Sequence, residues 1–236
     1  FTWKDFQDRN NNELVAIFGN FVNRTMVLMH NLCNGKVPRF HVDKKDEKDE
    51  ALFAFLKEAK KKVEEAIEHF HFRDALSEVM NIAREGNKYM QEKAPWLLSK
   101  TPEMQAQNQE LIDNCIHVCL QITANLAIFI NPFLPFTAKK ICHILKVVDR
   151  MLDWKNAGSL KLVSVGYSLR APELLFRKIE NEEIEKQIEK LKSNVKQPAD
   201  KTTNPNPKPE THNPKPQIVY DDFAKLDLKT GIIISA

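Results

Sequence analysis

Glycine is scarce in this chain, with 6 residues in 236 against 12 prolines. That is too few for a β protein built from many tight turns, and no Gly-rich phosphate loop is among them. Cysteine is scarce too. Cys33, Cys115, Cys119 and Cys142 form no CxxC pair and are too few for a disulfide framework, so a cytoplasmic setting is the default expectation. An excess of one charge is absent: 35 basic residues stand against 32 acidic ones, a net charge of +3. This excludes a strongly basic protein that holds nucleic acid by charge alone. Long apolar runs are missing as well; residues 122–130 come nearest and contain Asn125, so no membrane-spanning helix and no membrane partner are expected. Neither an initiator Met nor a signal peptide stands at Phe1-Thr2-Trp3-Lys4-Asp5, and the chain closes on the apolar run 231–236, so a piece of a longer protein is expected.

What is present is apolar periodicity. At 42% hydrophobic and 28% charged residues the chain can bury one sizeable core. Four segments repeat apolar or small residues at alternating spacings of four and three, as one face of a bundled helix does. They are Leu14, Phe18, Phe21, Thr25, Leu28, Leu32; then Leu52, Leu56, Ala59, Val63, Ala66, Phe70; then Phe72, Leu76, Val79, Ala83, Gly86, Met90; then Leu111, Cys115, Val118, Ile122, Asn125, Phe129. Asn34-Gly35 stops the first and Asn131-Pro132 the last. A shorter helix is predicted over 137–147, a short strand over 160–165, and a charged helix around Ile184, Ile188 and Leu191, loosely packed. Short joints between long helices predict an all-α antiparallel bundle over residues 10–175. The C-terminal helix follows over 176–192. Residues 193–217, six of them Pro, read as a solvated linker, and 218–236 as the first strand of a truncated second domain.

Catalytic patterns are lacking: there is no nucleophile elbow and no HExxH. Cys115-Ile116-His117-Val118-Cys119 resembles a metal cluster, but on a helix 115 and 119 share the core stripe while 117 points away, so core cysteines and no metal are expected. His69 and His71 read as turn residues, and the alternating charges of 43–50 as a solvated helix start. Two features resist so plain an account. Asn20 and Arg24 lie four apart and emerge together beside the apolar stripe. An amide and a guanidinium so placed match the edge of a base, although a surface pair without function has the same pattern. Pro95-Trp96 follows the third helix, where Pro restricts the direction of the ring; the indole is either a stacking platform for an unpaired base or a core side chain.

The runs Asn12-Glu13-Leu14, Gly19-Asn20-Phe21-Val22-Asn23-Arg24-Thr25, Phe72-Arg73-Asp74-Ala75-Leu76, Asn87-Lys88-Tyr89, Ala94-Pro95-Trp96 and Pro132-Phe133-Leu134-Pro135-Phe136-Thr137 together resemble the anticodon-binding helical bundle of bacterial methionyl-tRNA synthetases. The resemblance covers about residues 10–192. Parts of it recur in sister class I synthetases, and a helical protein-interaction module is the reading from a different class. The closing run Asp221-Asp222-Phe223-Ala224-Lys225-Leu226-Asp227-Leu228-Lys229-Thr230-Gly231 resembles the opening strand of the OB-type tRNA-binding domain that many methionyl enzymes append. The resemblance implies that Asn20 and Arg24 read the cytosine opening the CAU anticodon of methionine tRNA, and that Pro95 and Trp96 shape and stack the unwound loop. Arg39, Lys88 and Lys93 are candidates for contact with the tRNA backbone. Residues 1–9 would be the tail of a preceding catalytic region. The ATP, magnesium and zinc of the parent enzyme would bind outside this chain, which would carry no cofactor and no catalysis of its own. DNA is not an expected partner, and the parent would dimerise through the missing OB domain.

Overall fold

The computed structural model describes residues 2–195, and the predicted linker and second-domain strand therefore lie outside the described residues apart from the last turn of a helix. Within them the architecture is all-α, as expected. Helix α1 (Trp3–Arg9), a π-helical segment (Asn10–Gly19) and α2 (Asn20–Leu32) follow one another without a break. Of the residues read as a tail, 3–9 thus supply the first turns of the same long helix, capped by Thr2, whose Oγ1 accepts from the Asp5 N–H at 3.0 Å. The π winding has an evident use. Asn10 and Asn11 donate to the carbonyls of Arg177 and Ile179, and Asn11 accepts from the Ile179 N–H, so this stretch of helix holds the segment leading to the C-terminal helix.

Helices α3 (Glu47–Glu68) and α4 (Phe72–Lys93) form a hairpin closed by His69–His71. Asp46 caps α3, accepting from the Lys48 and Asp49 N–H groups while Asp49 accepts from the Asp46 N–H, a capping box. A short helix α5 (Pro95–Leu98) leads to α6 (Pro102–Ile130), then α7 (Pro135–Ile144), and α8 (Asn181–Val195) closes the described part. The side chain of Gln7 ties α1 to the start of α8 through Ile179 O and Asn181 Oδ1, both at 2.9 Å.

Helix α6 is the axis of the bundle, with α2, α4, α5 and α7 packed around it. It is the one helix among the described residues long and apolar enough to cross a bilayer by length and composition, yet 83% of its most apolar window is buried inside the protein. Apolarity on every face is what a central helix needs. Cys115, Cys119 and Cys142 belong to that core, and burial pushes the Cys119 thiol well above its ordinary pKa.

The predicted strand over 160–165 is not formed; these residues are loop, and the one β-bridge in the described chain joins Lys36 to Ser168. The reason lies on α6. Buried Gln121 accepts from the N–H groups of Leu162 and Val163 and donates to the Val163 carbonyl at 2.9 Å, replacing a sheet partner with one side chain. Asn125 does the same for Ser159 O and Gly158 N, and Asn114 for both backbone groups of His41. Asn125 thus stands on the apolar stripe with its amide serving the loop at Gly158 and Ser159. The ends of the predicted stripes differ in another way: Phe70 and Phe72 are 78% and 53% exposed, because the hairpin turn carries them past the edge of the core.

Candidate nucleic-acid interface

Asn20 is the first residue of α2 after the π-helical segment, and Arg24 lies one turn further on. Gly86 lets α4 come close to this turn: a Cβ there would stand 2.7 Å from Cε2 of Phe21, whose ring is fully buried and has nowhere to go. Across the close approach Asn87 meets Asn20, with Nδ2 of Asn20 3.3 Å from Oδ1 of Asn87. Asn87 in turn donates to the carbonyls of Ile17 at 3.1 Å and Ala83 at 2.9 Å. On the other side of Asn20 a cavity of about 370 Å³ opens between Gly19, Asn20, Asn23 and the chain at Leu175 and Phe176.

The end of α4 is shaped by Pro95. A residue before proline is barred from the helical region, and Ala94 leaves α4 in the left-handed region at φ 43°, ψ 56°. For a residue with a Cβ that costs about 1 to 2 kcal/mol, so the surroundings must hold it. They do: the Ala94 N–H donates to Met90 O at 2.9 Å, its carbonyl accepts from Leu97 N at 2.8 Å, and Pro95 is buried at the first position of α5. Trp96 is half-buried against the core, and the Arg24 guanidinium carbon lies 5.1 Å from its ring centroid, a cation–π contact. The two features that the sequence singled out, one on the first helix and one after the third, thus touch.

The three basic candidates are placed differently. Lys88 is exposed on α4, one residue from Asn87, pairs with Glu85 at 3.6 Å, and lines a groove between α3 and α4 with Lys48, Phe55 and Glu92. Arg39 is exposed in the loop after α2 and lines a separate, largely apolar cavity of about 600 Å³ with Phe40, Phe53 and His117, away from Asn20, Arg24 and Trp96. His117 there donates its Nδ1–H to the Pro38 carbonyl, 2.9 Å away, and burial lowers its pKa against the raising effect of that bond.

Lys93 is built into the protein. Its ammonium sits 2.7 Å from Asp46 and 2.9 Å from Asp49. Asp49, in the run expected to be a solvated helix start, is fully buried and also accepts from the Tyr89 hydroxyl at 2.6 Å. Burial opposes the charge on Lys93, but the bonds to Asp46 and Asp49 outweigh it and raise its pKa. Asp46 shows the mirror case: burial raises its pKa, and the Lys93 ammonium with the Asp49 and Lys48 N–H groups holds it below the ordinary value. These contacts pin the last turn of α4, directly before Trp96, to the first turn of α3. The sequence reading assigned no part to Asn87, Asp49 or Tyr89; only the presence of Asn87 and Tyr89 in a shared motif marked them.

Residues 40–196 match the family described as the anticodon binding domain of methionyl tRNA ligase. The chain is 44% identical over 237 residues to the methionine–tRNA ligase of Flavobacterium psychrophilum, matching 100% of this chain and 32% of that protein. It is 42% identical over 234 residues to the ligase of Bacteroides fragilis strain YCH46, at 99% and 32% coverage. The chain therefore spans about a third of the length of the curated relatives it matches. Its fold is shared with the apo form of Mycobacterium tuberculosis methionyl-tRNA synthetase, at a TM-score of 0.65 and 20% identity over 76% of this chain and 35% of that one. The same enzyme in complex with methionyl-adenylate gives a TM-score of 0.62 at 24% identity, over 71% and 32%. By the family match over two thirds of its length, this chain belongs to the anticodon-binding-domain family of methionyl-tRNA ligases.

Proposed function

We propose that this chain reads the CAU anticodon of methionine tRNA on behalf of a longer class I methionine–tRNA ligase. The observation that carries the reading is the cation–π contact of Arg24 with Trp96 at 5.1 Å, with Asn20 one helical turn away. Unpaired RNA bases are recognised by splaying them out, stacking them on aromatic or guanidinium planes, and hydrogen-bonding their pairing edges. Trp96, aimed by Pro95, supplies the plane; Asn20 and Arg24 supply hydrogen-bonding groups for the opening cytosine. Lys88, in a groove between α3 and α4, is a candidate phosphate contact, and Arg39, in its own cavity, is another. The charge of Lys93 is compensated by Asp46 and Asp49, so its part is to hold the turn that carries Trp96.

The longer protein would attach methionine to this tRNA in the cytoplasm, using ATP with magnesium and zinc, and would pair into dimers through an OB-type domain. Among the described residues no three His, Cys, Asp or Glu side chains converge as a metal site, and the cysteines pack in the core.

The test is binding of the chain to methionine tRNA, and to the same tRNA with the opening anticodon cytosine replaced, for wild type and Asn20→Ala at one fixed salt concentration. Each change is expected to weaken binding by about 1 to 3 kcal/mol, and the two together by little more than either alone. Binding indifferent to both changes would refute base reading at this site.

A further inference from the structure

Asn20 alone does not choose a base. A primary amide has a donor end and an acceptor end, and turning it over exchanges them. Cytosine offers an amine at the pairing-edge position where uracil offers an oxygen, so an Asn free to turn would serve both. Something must hold it one way round.

Asn87 does this through a chain of forced choices. Its side chain meets two backbone carbonyl oxygens, of Ile17 at 3.1 Å and of Ala83 at 2.9 Å. Carbonyls only accept, so the Asn87 NH2 must face them, and both of its hydrogens are engaged. The Asn87 oxygen is then left facing Asn20. Being an acceptor, it draws the Asn20 NH2 to itself at 3.3 Å. Fixed this way round, the Asn20 oxygen is the end turned away from Asn87, with one N–H left over on its nitrogen. Beside that acceptor stands the guanidinium of Arg24, which can only donate and is held on the Trp96 ring.

We propose that Asn87 is a specificity-determining positioning residue: by engaging the donor end of the Asn20 amide it leaves an acceptor next to the Arg24 donors, a pattern that takes cytosine and refuses uracil. The exocyclic amine of cytosine would donate to the Asn20 oxygen while its ring nitrogen and carbonyl accept from Arg24. Uracil would set its O4 against the Asn20 oxygen, two acceptors facing each other. The arrangement is itself supported by the backbone, because Ala83 lies one turn before Asn87 on α4 and Ile17 lies one turn before Phe21, which packs on Gly86. The proposal rests on the reading that a base binds here.

The experiment uses the whole chain and two methionine tRNAs that differ only in having C or U as the first anticodon base. Wild type is expected to favour C by about 5- to 150-fold, the span of one well-made base contact. Asn87→Ala is expected to reduce the ratio to about threefold or less, chiefly by improving the binding of the U form, since a released Asn20 can present its NH2 to O4. A merely structural loss would weaken both tRNAs alike and leave the ratio standing. In an Asn20→Ala background, Asn87→Ala should change nothing further in the ratio. Asn20→Asp combined with Asn87→Ala should restore the preference for C, because a carboxylate has no donor end to turn outward. Asn87→Leu, close to Asn in shape, gives the same reading should the alanine variant fold poorly. Full discrimination retained by both Asn87 variants overturns the proposal while leaving base reading intact; a wild type without preference overturns the base reading itself, and this proposal with it.

Discussion

The two ends of α4 invite comparison, because each is a turn with an aromatic ring beside a residue forced into the left-handed region. At the start, Phe70 has φ 61° and its ring meets Phe72 at 6.1 Å, both well exposed, with His69 and His71 on either side. Its hydrogen bonds are local, to the carbonyls of Glu65, Ala66 and Ile67. At the finish, Ala94 has φ 43°, yet the turn is tied to residues more than forty positions away in sequence, through Lys93 to Asp46 and Asp49, and Trp96 is overlaid by Arg24 from α2. An aromatic ring at a helix end is common to both. What sets the second apart is the anchoring of the turn from two other helices and a cation placed on the ring, which on the proposed reading make it a platform.

The largest expected effect tests that anchoring. Asp49→Asn leaves the half-buried Lys93 with one exposed partner and weakens the acceptor for Tyr89, and should cost about 3 kcal/mol, as removal of one member of a buried ion pair does; the urea midpoint of unfolding measures it. Gly86→Ala comes next. Its Cβ has no room beside the fixed Phe21 ring, and overpacking of about 2 kcal/mol is expected, again in urea, with weaker tRNA binding because α2 and α4 are pushed apart.

Titration of the anchored turn gives a smaller effect with a defined sign. The pKa of Asp46 is lower in the folded chain than its ordinary 3.8, so its contribution is present above pH 3.8 and is lost as pH falls through the folded value. The pKa of Lys93 is raised above 10.5, so its contribution is present below pH 10.5 and is lost as pH rises through the folded value. The stability difference between wild type and Asp46→Asn should stay level from about pH 5 to pH 9 and shrink at the acid end. At the other end of α4, Phe70→Ser should change stability by less than about 0.5 kcal/mol, as substitutions of exposed residues away from special contacts do. A cost comparable to that of Asp49→Asn would show that the hairpin turn is anchored as well, and would erase the contrast.

Much of the bundle was legible in the sequence because its signals are local. The apolar stripes through Leu56, Val79 and Ile122, the stop at Asn34-Gly35, and the break at Pro95 each depend on residues within a turn or two of one another. The same holds for the pairing of Asn20 with Arg24, four apart on one helix. Asn20, Arg24 and Pro95 also lie within the runs that carry the family resemblance.

Other properties depend on partners far along the chain, and these only the tertiary structure decided. Residues 160–165 have strand-like composition, but Gln121 takes up the backbone groups of Leu162 and Val163 in their middle. Asp49 looks like one charge among many in an alternating run, and is buried because Tyr89 and Lys93 arrive forty and forty-four positions later. Lys93, basic and near Trp96, reads as a phosphate contact until its two carboxylates are seen. The orientation of the Asn20 amide is the clearest case. Its identity is written in the sequence, but which end it presents depends on Asn87, and the orientation of Asn87 depends on two carbonyls, one from each helix. A sequence specifies which groups can donate and accept; where each hydrogen bond goes is settled only when the helices are side by side.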